Sequence, residues 1–138
     1  MSEQAALVLW AVLGFQVKHF LGDFVLQTTS QVQQKGYYGR RGGLVHAATH
    51  GLLSVPVLLV LTREPMLIAL VAAAEFVVHY HIDWIKARTD RVKGWSNRTQ
   101  IYWVAFGIDQ LLHQLTYLVI VALLLSSEAL PPAIPVPG

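Results

Sequence analysis

The sequence predicts an all-α membrane protein with four transmembrane helices packed into one bundle. Three observations carry that prediction. Of the 138 residues, 54% are hydrophobic and only 13% charged, about half the ~25% charge of a soluble domain, and the mean hydropathy is +0.49. Four apolar stretches approach or exceed the ~20 residues that span a bilayer as a helix. Ionisable residues recur inside those stretches at a single helical spacing.

The first stretch, residues 5–27, follows Met1-Ser2-Glu3-Gln4; that start lacks a basic n-region, so the stretch is expected to stay in the mature protein. The second covers 44–61 and the third 66–86. Between them Thr62-Arg63-Glu64-Pro65 leaves room only for a tight turn, with Pro65 suited to a helix start. The fourth stretch covers 101–125. All four are expected as helices, because unpaired backbone groups are not tolerated in hydrocarbon. Residues 28–43 and 87–100 read as polar loops, the first broken by Gly36, Gly39, Gly42 and Gly43. The domain is placed at 1–130, and the Pro-rich end, 131–138, is expected as a disordered tail.

Charge sets orientation. Lys35, Arg40 and Arg41 lie in the first long loop, and Lys86, Arg88, Arg91, Lys93 and Arg98 in or beside the second. The positive-inside rule then puts both loops in the cytoplasm and both termini outside it. Trp10 near one face, and Trp84, Trp95, Tyr102 and Trp103 near the other, fit as interfacial anchors. A net charge of +2 argues against a nucleic-acid partner, and the absence of cysteine excludes disulfides, thiolate metal sites and a Cys nucleophile.

Acidic and imidazole groups are costly inside a membrane, so they are read first as functional. His19/Asp23, His46/His50, His79/Asp83 and Asp109/His113 give each helix one pair at i,i+4, which shares a helix face. By chance about one His in six would find a His or Asp at that spacing; five of the six do, His81 being the exception. The first three pairs fall within roughly 12 Å of the cytoplasmic helix ends at ~1.5 Å per residue. Asp109 lies eight residues into its stretch, so that helix must start below the membrane surface, or tilt, to bring its pair level.

Five imidazoles and three carboxylates suit a divalent metal: zinc first, then manganese or iron. Eight donors are enough for two ions, and two ions nearly neutralise Asp23, Asp83, Asp109 and Glu75. The expected ligands are His19, Asp23, His46, His50, His79, Asp83, Asp109 and His113. Asp83, Asp109 and Glu75 are the candidate catalytic carboxylates, a non-bridging one taking the proton of a water whose pKa the metal lowers toward ~7. Glu75 reads equally as an extra ligand or as the partner of Lys18, which otherwise snorkels. Gln27 and Gln110 read as donors around the site or as interhelical hydrogen bonds, and His81 as a packing residue.

Through His19-Phe-Leu-Gly-Asp23-Phe-Val-Leu-Gln27, the His46/His50 stretch, His79-Tyr-His-Ile-Asp83-Trp-Ile-Lys86 and Asp109-Gln-Leu-Leu-His113, the sequence resembles the bacterial inner-membrane domain-of-unknown-function 3307 family. That resemblance implies a multi-pass protein of the bacterial inner membrane and brings no activity with it. A second, shorter similarity, through His46-Ala-Ala-Thr-His50-Gly-Leu and His79…Asp83, is to bacterial membrane-bound metal-dependent hydrolases.

The expected function is a membrane metal-dependent hydrolase acting on an amphiphilic substrate. The alternatives are a metal-ion or proton transporter using the same cluster and a structural or adaptor protein. Transport needs a polar route that the second and fourth helices, apolar beyond His50 and His113, do not offer. Expected partners are membrane lipids and the amphiphilic substrate, with a homo-oligomer left open.

Overall fold

Helix ends leave backbone groups without intrahelical partners, and at two of the helix starts a side chain supplies one. In the computed structural model of the chain, which describes residues 1–126, helix α1 spans Glu3–Phe20. Ser2 caps it by accepting a hydrogen bond from the Ala5 N–H at 3.2 Å. It runs on into one wider π turn, Leu21–Val25, closed by the Leu26 N–H donating to the Leu21 carbonyl at 2.8 Å. Helix α2 (Thr29–Lys35) follows, then α3 (Arg41–Leu61), α4 (Pro65–Lys93) and α5 (Gln100–Ser126). The expected tail at 131–138 lies outside the described residues.

Two connections differ from the sequence expectation. Residues 28–43 are not a plain loop, because Thr28 and Gln31 form a reciprocal capping box that starts α2. Gly42 and Gly43 lie inside α3 rather than breaking it, where the absence of a Cβ lets Gln34 and Tyr80 pack against the backbone. Residues 87–93 extend α4 by nearly two turns. Lys86 pairs with Asp90 at 2.9 Å across one turn, Arg91 and Lys93 sit at the carbonyl end of the helix, and Gly94 closes it in the left-handed conformation, φ +67°.

α1 with its π turn, α3, α4 and α5 are each long and apolar enough to cross a membrane. They pack as a ring in which α1 touches α3 and α5, and α4 touches α3 and α5. Outward faces carry large exposed apolar side chains, among them Leu9, Leu13 and Val17 on α1, and Leu118, Val119 and Leu123 on α5. Water would not tolerate so much apolar surface, and lipid chains solvate it without cost. The fold is a membrane-spanning four-helix bundle.

The bundle interior divides by chemistry. One half is an apolar core of Ala11, Phe15, Val57, Leu58, Leu61, Ile68, Tyr117, Ile120, Val121 and Leu124, with the Phe15 and Tyr117 rings stacked at 5.1 Å. The other half, on the side of α2 and the α4–α5 connection, holds the ionisable side chains.

Candidate metal centre

The paired residues project inward from four helices because i,i+4 spacing keeps both members on the face that each helix buries. The π turn carries Asp23 toward α3 and α2. Its Oδ1 lies 3.0 Å from His46 Nε2, 3.5 Å from His50 Nε2 and 3.7 Å from Lys35 Nζ. His46 Nε2 also lies 3.2 Å from His79 Nε2 and 3.3 Å from Asp83 Oδ2. Asp83 joins α4 to the remaining helices: Oδ2 is 3.3 Å from His79 Nε2 and 2.9 Å from Lys35 Nζ, and Oδ1 is 3.5 Å from His113 Nε2. The His50, His79 and His113 rings stack in sequence, with centroids 3.8 and 4.1 Å apart.

All eight residues of the four sequence pairs therefore meet in one buried cluster. The fourth pair comes level with the other three, as the sequence reading required of an early helix start. α4 continues ten residues past Asp83 and α5 starts nine before Asp109, so the two helices project equally beyond the cluster. The residues are not equivalent, however. Two groups have donor atoms mutually within 4.8 Å: Asp23, His46, His50 and His79, and His79, Asp83 and His113. His19 and Asp109 lie outside both groups. His19 has Tyr117 Oη 2.9 Å from Nδ1, and Gln110 Oε1 and Asp23 Oδ2 2.9 and 3.3 Å from Nε2. Asp109 accepts from the Gln110 amide at 3.1 Å and lies 3.8 Å from His113 Nε2.

Separations of 3.0–3.5 Å between donor atoms match the edge of a tetrahedral site, about 3.3 Å for metal–ligand bonds of ~2.05 Å. Hydrogen bonding accounts for only some of the cluster's donor atoms. Asp23 Oδ2, Asp83 Oδ2, Asp109 Oδ1, His50 Nε2 and His113 Nε2 are buried without a well-directed hydrogen bond, an expensive arrangement in a membrane interior. The donor set, its spacing and its unsatisfied atoms fit a divalent cation. The two oxygens of Asp83 face different imidazoles, Oδ2 toward His46 and His79 and Oδ1 toward His113.

Beneath the cluster, toward the apolar core, Lys18 forms an ion pair with Glu75, and Ser54 donates to the other Glu75 oxygen. Lys18 Nζ also lies 3.5 Å from His50 Nδ1 and 4.2 Å from the centre of the Tyr117 ring. Of the readings open to Glu75 in the sequence, the ion pair with Lys18 is the one the structure shows. Sequence reading missed Ser54 and Tyr117, although each lies four residues beyond a cluster histidine and continues the same stripe. Gln27 turns back to the Asp23 carbonyl at 2.9 Å. His81 points away from the cluster, with Nε2 3.2 Å from the Tyr38 hydroxyl.

A cavity of about 450 Å³ opens onto the cluster from the α2 side. Asp23, Asp83 and Asp109 line it, together with Phe24, Trp95, Tyr102 and Phe106 and the cations Lys35, Lys86 and Arg91.

Fold and cluster together define a membrane-spanning helical bundle with a buried His/Asp site able to hold a metal ion. The chain belongs to the family described as Protein of unknown function (DUF3307), which matches residues 11–135 and so includes every residue of the cluster. No curated relative and no solved structure matches it.

Proposed function

We propose that the protein is a metal-dependent hydrolase of the bacterial inner membrane, zinc being the first choice of metal, that acts on an amphiphilic substrate entering from the cytoplasmic side. One observation carries the reading: metal-spaced donors from four helices meet in one cluster, and its Asp23 and Asp83 line a cavity large enough for a substrate head group. A divalent ion there supplies Lewis-acid activation of water and of the bond to be cleaved.

The protein's own groups supply the rest. Asp23, His46, His50 and His79 would hold one ion, and Asp83 and His113 form with His79 the donor group that would hold a second. Asp109 lines the cavity but stands outside both donor groups, so it is the carboxylate free to take a proton from water. Glu75, engaged by Lys18 and Ser54, sets the position of His50 through Lys18. Gln110 orients both His19 and Asp109. Phe24, Trp95 and Phe106 offer apolar walls to the substrate's tail while the acids face its head.

Transport is the weaker reading, since beyond Glu75 the interior is dominated by an apolar core that includes Phe15, Leu58, Tyr117 and Val121. A purely structural cluster is weaker still, because interhelical polar contacts in membranes average under ~1 kcal/mol and so many ionisable groups would gain little adhesion. The test pairs two assays on metal-loaded protein: hydrolysis of chromogenic carboxyl and phosphoryl esters in detergent, and zinc or proton flux in liposomes. Metal-dependent hydrolysis that Asp109→Asn lowers at least tenfold, with metal content kept, is the expected result. Flux without hydrolysis would reverse the assignment.

A further inference from the structure

Charge around the cavity narrows the substrate class, on the metal-centre reading just given. Four carboxylates line it, Asp23, Asp83, Asp90 and Asp109, against three cations, Lys35, Lys86 and Arg91, one negative charge in all. A single divalent ion turns this into a surplus of one positive charge, and two ions into a surplus of three. Such a surplus beside a membrane interior is costly unless the occupant is an anion. A carboxylic ester or an amide leaves it uncompensated, whereas a phosphate group offsets it.

Lys35 is the cation placed to meet that group. Its Nζ lies 2.9 Å from Asp83 and 3.7 Å from Asp23, a carboxylate of each donor group, and its side chain is only 11% exposed. Orientation in the membrane does not require this, because Arg40 and Arg41 of the same segment stay at the surface. The inward path of Lys35 comes from α2, which the Thr28–Gln31 capping box starts and which Gln34 ties to α3 by accepting the Gly42 N–H at 2.9 Å.

We propose that the cavity takes a phosphate-bearing substrate and that Lys35 binds its phosphoryl oxygens beside the metal-holding cluster. In the hydrolysis that follows, the water oxygen bonds to phosphorus and the bond from phosphorus to the leaving oxygen breaks. The electron pair of that bond stays on the leaving oxygen. Asp109 takes the proton released by water and returns it to the leaving oxygen.

The test uses full-length protein in detergent, loaded with manganese to a counted metal content and titrated with inorganic phosphate. Paramagnetic broadening of the phosphorus resonance reports binding. Saturable binding is expected in wild type, weaker by about tenfold or more in Lys35→Met with manganese content unchanged, and largely kept in Lys35→Arg. Manganese-loaded wild type with no saturable phosphate binding, or equal binding in Lys35→Met, would overturn the phosphate assignment and leave the metal centre standing. Wild type that holds no manganese would overturn the metal centre, and this assignment with it. Repeating the titration with glycerol phosphate and with diacylglycerol phosphate in mixed micelles separates the sources. Tighter binding of the lipid by about tenfold assigns a lipid headgroup, and equal affinity assigns a water-soluble phosphate ester.

Discussion

At Gly22 any added Cβ would lie 2.3 Å from His50 Nε2, so a single hydrogen atom gives the imidazole its place in the cluster. Gly22→Ala is therefore expected to displace His50 and lower bound metal by about one equivalent, with a lower melting temperature in detergent. Element analysis beside a thermal scan checks it, and full metal content would show that His50 is not needed. Lys18 and Glu75 give a second test at this scale. Both side chains are almost fully buried, 4% and 1% exposed, so Lys18→Met leaves a carboxylate unpaired and should cost about 3–5 kcal/mol. The double variant Lys18→Met/Glu75→Leu should recover most of that loss in unfolding titrations with a denaturing detergent. The cluster itself was legible in the sequence because charged groups stand out in apolar helices and because the spacing repeats. Lys35 was not, since a lysine that reaches into a site and one that only sets topology look the same in a basic segment.

At the scale of elements, two features escaped the hydropathy pattern. The π turn at Leu21–Val25 changes local register by the width of one residue, which no periodicity over so few positions reveals. It matters because Asp23, aimed by that turn, touches His46, His50 and Lys35. Helix α2 was hidden by its polarity, being too short for an apolar stripe, although Thr28-Thr29-Ser30-Gln31 spells a capping box. Thr28→Ala should cost α2 about 1 kcal/mol; hydrogen exchange would then show faster amides across residues 29–35 and unchanged protection in α3. The far end of α4 was read as loop because charge was taken for the end of the helix. Leaving the membrane and leaving the helix are separate events, and the Lys86–Asp90 pair with Gly94 sets the second one.

For the molecule as a whole, the four-helix bundle followed from hydropathy alone, since length and apolarity leave a membrane chain few alternatives. Its asymmetry, apolar core at one end and ionisable cluster at the other, leads to two expectations. Reporter fusions should place the C-terminus outside the cytoplasm and the Lys35–Arg41 segment inside it, following the basic loops; the reverse pattern would move the cavity to the opposite side of the membrane. Metal retention should fall as pH is lowered, because protons compete with the ion for its imidazole and carboxylate donors. Dialysis at a series of pH values measures this, and retention that does not change with pH would contradict a His/Asp ligand set.

The central claim is that the cluster is a metal centre, and His79 is its most informative residue because it belongs to both donor groups. The measurement is element analysis of freshly purified, folded wild type beside His79→Ala. About two equivalents of zinc, manganese or iron in wild type, lost in the variant while membrane insertion is kept, is the predicted result. Folded wild type without metal, or a His79→Ala variant with normal metal content, would contradict it.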